Sequence, residues 1–78
     1  MLTGKRFRLR KATLAIDSSG GKKIAVTIHA GEIIEVIWDP LPTDARMVGI
    51  RWNGKTLIIF AEDIEGHGEE IPRRTAGA

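Results

Sequence analysis

The stretch "RWNGKTLIIF", residues 51–60, constrains the fold of this chain more than any other. Asn53 and Gly54 separate two strand-like runs, and an Asn-Gly pair readily takes the positive φ angles of a type I′ hairpin turn. A two-residue loop sets the register. Trp52 faces Lys55, and counting outward pairs Arg51 with Thr56, Ile50 with Leu57, Gly49 with Ile58, Val48 with Ile59 and Met47 with Phe60. Side chains alternate across a strand, so two faces follow. Val48, Ile50, Leu57 and Ile59 form the set assigned to the interior, with Trp52 closing its end. Met47, Ile58 and Phe60 form the outer set, flanked by Arg51 and Thr56, and Gly49 leaves a shallow gap opposite Ile58. A hairpin with one wet face would carry polar residues on that face. Residues 57–60 are apolar on both, so the outer set needs a cover. Two covers are expected: the chain itself, through Phe7, Leu9 or Ile71, or a second subunit.

Elsewhere apolar residues recur mostly at period two, the mark of short strands. In "KRFRLRKATLAID", Phe7 and Leu9 fall in odd phase and Leu14 and Ile16 in even phase. A strand burying all four must break its alternation near residues 11–13, at a bulge or sharp bend. "SSGGK" reads as a turn, and "KIAVTIH" places Ile24, Val26 and Ile28 on one face. Pairing Leu14 with Val26 and Ile16 with Ile24 sets Asp17 opposite Lys23. "HAGEIIEVIWDP" turns at Ala30-Gly31 and continues with Ile34, Val36 and Trp38 alternating against Ile33, Glu35 and Ile37. "DPLPTDA" is a loop, because two prolines cannot donate to a ladder. "AEDI" suits one turn of 3₁₀ or α-helix, and the following "EGHGEEIPRRTAGA" has little apolar surface besides Ile71 with which to dock.

The order of elements points to an all-β chain. "HAGEIIEVI" resembles the segment where SH3-like chains turn into their second long strand, and "MVGIRWNGKTLIIFAEDI" resembles the distal hairpin followed by a short 3₁₀ turn. These two stretches span about a third of the chain or somewhat more. The resemblance implies a single small SH3-like barrel of about five strands over residues 1–66, followed by a flexible tail over 67–78. It does not extend to the peptide-binding SH3 domains. The chain lacks an "ALYDY"-like segment and a tandem tryptophan, and its only aromatics are Phe7, Trp38, Trp52 and Phe60. It also lacks the Val-Gln-Ile-Tyr segment of the plasmid-borne SH3-like dihydrofolate reductases and the paired signatures of Sm-like RNA-binding rings. An aromatic groove for a proline-rich ligand is not expected.

Size and composition narrow the functional classes. At 78 residues an unassisted core is small, and without cysteine neither a disulfide nor a thiolate metal site can reinforce it, so oligomerisation is the extra source of burial to expect. The lack of cysteine also suits a reducing compartment. No apolar run is long enough to span a membrane, and the first 16 residues are interrupted by Lys5, Arg6, Arg8, Arg10 and Lys11. A cytoplasmic protein is the expectation. Net charge is only +2 but uneven: seven basic residues and one acid up to Gly31 give +6, and five basic and nine acidic residues from Glu32 onward give −4. Opposite charges on neighbouring strands would pair across a solvated face.

Chemistry-bearing residues are few. His29 falls on the solvent side of its strand. His67, Glu69 and Glu70 in "HGEE" lack a further well-spaced ligand, so no metal is expected. Ser18 and Ser19 are turn residues with no histidine base beside them, and "SSGGKK" has neither the spacing nor the following helix of a phosphate-binding loop. Neither an enzyme nor a cofactor is expected, and no small-molecule ligand. Arg6, Arg8 and Arg10 alternate with Phe7 and Leu9, so on a strand they line one face at roughly 6.6 to 7 Å intervals, which could follow a phosphate backbone. Alternatively they mark an edge strand whose charges discourage aggregation.

Two functions are therefore expected. The first is a non-enzymatic interaction module, a homodimer or a subunit of an assembly, meeting its protein partner through Met47, Ile58, Phe60 and Arg51. The second is a weak nucleic-acid binder using Lys5, Arg6, Arg8, Arg10, Lys11, Lys22 and Lys23.

Overall fold

A computed structural model describes residues 2–72. The element order is β1 (Arg6–Leu9), β2 (Thr13–Asp17), β3 (Ile24–Ile28), β4 (Ile33–Trp38), β5 (Met47–Trp52), β6 (Lys55–Phe60), α1 (Ala61–His67) and β7 (Gly68–Ile71). The strands form one antiparallel sheet in the order β3-β2-β6-β5-β4-β1-β7. The all-β expectation stands, but there are seven strands where five were expected, and the sheet is open, with β3 and β7 as its two edges. Among the described residues no helix is long and apolar enough to cross a membrane.

The hairpin organises the rest. Asn53 and Gly54 have φ of 52° and 75°, and all six pairs from Met47↔Phe60 to Trp52↔Lys55 form as the two-residue loop requires. Val48, Ile50, Leu57 and Ile59 are fully buried, and Trp52 packs at the end of this set with its indole N–H donating to Glu32 Oε1 at 2.9 Å. Ile34 and Val36 from β4 and Phe7 and Leu9 from β1 extend the same buried face. A flat single sheet would leave that face wet. Complete burial here means that the sheet coils over it, and α1, packed on β6, β1 and β7, adds Ile64 from above. The helix spans seven residues where a single turn was expected, and it is anchored by Ala61 N–H donating to Arg46 O at 2.9 Å.

Three register expectations are corrected. The inward residues of β1 and β2 are Phe7, Leu9, Thr13 and Ala15, all in odd phase, so the chain bends at Arg10 and Lys11 without the expected change of alternation. Leu14 and Ile16 consequently point outward. The β2–β3 pairing is one residue away from expectation, with Ala15↔Val26, Leu14↔Thr27, Ile16↔Ala25 and Asp17↔Ile24, so Lys23 does not face Asp17. The physical reason is that Thr13 is tied inward at the bend, opposite Ile28, by hydrogen bonds to Lys11 O and to His67, which carries Ala15 to the buried face with it. In β4 the pairing passes from Val36↔Ile50 to Trp38↔Gly49, so Ile37 is an extra residue in a bulge. That bulge turns Trp38, expected in phase with Ile34 and Val36, to the outer face.

The C-terminal boundary also moves. The expected division between residues 66 and 67 falls inside α1, and Gly68–Ile71, assigned to the tail, pair with β1 from Arg6↔Ile71 to Leu9↔Gly68. β1 is thus an internal strand between β4 and β7, not the edge that its charges suggested. Gly68 is required by close approach: a Cβ there would lie 2.6 Å from Ile64 O. The remainder of the expected tail, 73–78, lies outside the described residues.

Candidate interaction surface

The outer face of the hairpin is built by four strands. Ile16, Ile58, Gly49 and Trp38 are successive cross-strand partners on β2, β6, β5 and β4, and form one row. Directly opposite residues in an antiparallel pair share a face, so the row runs unbroken across the sheet. One step toward α1, Phe60 and Met47 form a second row, and Leu14 of β2 closes it. Leu14, Ile16, Met47, Ile58 and Phe60 line a groove of about 160 Å³ with Asp63 of α1 at its rim.

The exposures are large for apolar side chains: Leu14 60%, Trp38 53% and Phe60 39%. The gap expected opposite Ile58 is filled by Trp38, whose indole lies over Gly49 so closely that a Cβ there would sit 2.5 Å from Trp38 Cε3. Neither expected intramolecular cover reaches this face. Phe7 and Leu9 belong to the interior, and Ile71 pairs with Arg6 at the opposite edge of the sheet. Arg51, expected at the interface, lies on the polar flank of the row, 3.9 Å from Glu35 Oε1.

Of these residues Met47, Ile58 and Phe60 are expected from the sequence, whereas Leu14, Ile16 and Trp38 are not. For Leu14 and Ile16 the signal is the odd phase carried from Phe7 and Leu9 through Thr13 and Ala15, and for Trp38 there is none, because the bulge shows only against β5. That phase is masked because Leu and Ile are stronger core residues than Thr and Ala.

The basic residues do not gather into one surface. Arg6 and Arg8 lie across from Glu35 and Glu69, and Lys5 Nζ is 3.6 Å from Glu70 Oε1. Arg10 Nη2 donates to Gly66 O at 3.1 Å, and Lys11 is exposed at the bend. Lys22 and Lys23 occupy the β2–β3 turn, about 15 Å along the hairpin from Thr13. Opposite charges on adjacent strands therefore interleave, as the ordinary account of the charge pattern expects.

Several of the remaining chemistry-bearing groups are engaged in local hydrogen bonds. Thr13 Oγ1 lies 3.0 Å from Lys11 O, to which its hydroxyl donates, and shares a hydrogen bond with His67 Nδ1 at 3.1 Å. Hydrogen bonds from the Ser19 hydroxyl and backbone N–H hold the Asp17 carboxyl below its ordinary range. Arg46 does the same to Asp44, whose carboxylate in turn raises the guanidinium. His29 is exposed, as expected. Among the described residues no three His, Cys, Asp or Glu side chains are grouped to hold a metal.

Compared with known proteins, the chain matches no family model, no curated protein and no solved structure.

Proposed function

We propose that this protein is a non-enzymatic SH3-like interaction module that docks a protein partner on the outer face of its central hairpin. The observation that carries the proposal is the two-row apolar face with Leu14, Trp38 and Phe60 in solvent. A patch of this kind on so small a protein marks a contact surface. The SH3-like description draws support from the Asn53-Gly54 hairpin running directly into a short helix at Ala61. A non-enzymatic role draws support from the structural employment of His67, Asp17 and Asp44 in local hydrogen bonds. The alternative, nucleic-acid binding through the N-terminal basic residues, is weakened by the acids placed among them on β4 and β7.

The test compares Ile58→Lys with the wild type by circular dichroism and by binding of the apolar dye anilinonaphthalene sulfonate. The wild type binds the dye, and the variant stays folded and loses it. A wild type that binds no dye when dilute enough to be monomeric, or a variant that unfolds, makes the outer residues a second layer of core and ends the proposal. Nucleic-acid binding is read by fluorescence anisotropy, with no complex tighter than about 100 μM expected at low salt.

A further inference from the structure

We infer that the occupant of the outer face is a second copy of this chain, packed face to face about a twofold axis that lies between the two sheets and runs across the strands. The inference rests on the docking function proposed above and adds the identity and orientation of the partner.

Area comes first. From the exposures of Leu14, Trp38 and Phe60, with smaller shares from Ile16, Met47 and Ile58, the face offers about 400 Å² of apolar surface. An interface burying about 800 Å² per partner is a little over half apolar, so this face supplies the apolar centre of one small interface and leaves a polar rim to be matched.

Shape and charge then select the axis. An axis across the strands, midway between the two apolar rows, lays the row of Ile16, Ile58 and Trp38 on the partner's row of Leu14, Phe60 and Met47, and the reverse. All of the apolar surface is then covered at once. The same operation exchanges the ends of the strands, and the ends differ in charge. Beyond the Phe60 row stand Glu62, Asp63 and Glu65 on α1, with Asp44 and Arg46 occupied by each other. Beyond the Ile58 row stands the exposed Lys22-Lys23 turn, with Arg51 and Glu35 occupied by each other as Asp44 and Arg46 are, whereas Lys55, opposite Trp52, belongs to the other face. Each acidic end therefore meets a basic end, twice per dimer. A twofold axis along the strands would instead place acid over acid, and like charges across an interface oppose association.

Sedimentation velocity over a range from about 10 μM to 1 mM, with Lys23→Glu and Asp63→Arg studied alone and mixed, provides the test. The wild type is expected to show a reversible monomer–dimer equilibrium at the weak end of this range, in keeping with the small interface. Each variant alone faces like charges at both ends and weakens its own dimer about tenfold, whereas an equimolar mixture regains wild-type association because each opposed pair is again of opposite sign. Melting curves confirm that both variants remain folded. A wild type that stays monomeric throughout overturns the inference. So does a dimer whose charge variants are not rescued on mixing. Dye binding by the monomeric wild type separates the two failures: retained dye leaves the face as a dock for a different protein, and absent dye removes the docking function as well.

Discussion

The β5–β6 hairpin carries apolar residues of nearly equal hydrophobicity on its two faces, and the two faces have opposite fates. Val48, Ile50, Leu57 and Ile59 are fully buried under the coiled sheet and α1, whereas Met47, Ile58 and Phe60 join Leu14, Ile16 and Trp38 in contact with water. Residue type does not separate them, since Ile58 and Ile59 are neighbours of identical chemistry. What separates them is curvature: a sheet coiling toward one face crowds those side chains together and splays those on the other. Apolar side chains on the convex side are thus left uncovered by the chain itself.

Substituting the same residue on each face breaks this comparison most sharply. Ile59→Lys buries an unpaired charge and is expected to cost more than about 4 kcal/mol, enough to abolish the cooperative thermal transition. Ile58→Lys puts its ammonium in solvent and should leave the transition within about 1 kcal/mol of wild type by chemical denaturation. Next in size, Leu57→Ala opens a cavity in the interior and should cost about 2 to 5 kcal/mol in urea unfolding. Phe60→Ala on the outer face should cost well under half as much as Leu57→Ala.

A smaller effect refines the boundary between the rows. Gly49→Ala places a Cβ against Trp38, but that indole is exposed and free to move outward, so the expected penalty is about 1 kcal/mol. In a Trp52→Phe background the emission of Trp38 should shift to the red as the ring leaves the strand. An unchanged spectrum would show that the indole is held by something other than Gly49. The smallest effect lies at the basic end of the face. Because the Ser19 hydroxyl lowers the Asp17 carboxyl, its contribution is present above the ordinary value of 3.8 and is lost as pH falls through the lower folded midpoint. Ser19→Ala should raise the Asp17 midpoint in a carboxyl-detected NMR titration and change neutral-pH stability little.

Local signals and long-range ones were not equally legible. The Asn53-Gly54 turn and its register follow from two residues and the alternation they impose, so the whole hairpin was readable, including Met47, Ile58 and Phe60 on one side. The phase of β2 was not. Leu14 and Ile16 outweigh Thr13 and Ala15 in hydrophobicity, and the smaller pair is held inward by the hydrogen bonds of Thr13, one of them to His67 far along the chain. The bulge at Ile37 was equally hidden, because Val36, Ile37 and Trp38 are apolar in succession and fit either phase, and the extra residue is visible only against Ile50 and Gly49 of the partner strand.

Sequence alone determined the all-β class, the central hairpin and its two apolar faces, because these depend on backbone preferences and on period-two patterning within about ten residues. Tertiary structure decided the rest. Strand order, the open sheet, the placement of Gly68–Ile71 beside β1 and the gathering of Leu14, Ile16 and Trp38 beside Ile58 all arise from which strand packs next to which. That choice is made by volume and hydrogen bonding between segments far apart in the chain. A pattern read along one strand cannot contain it.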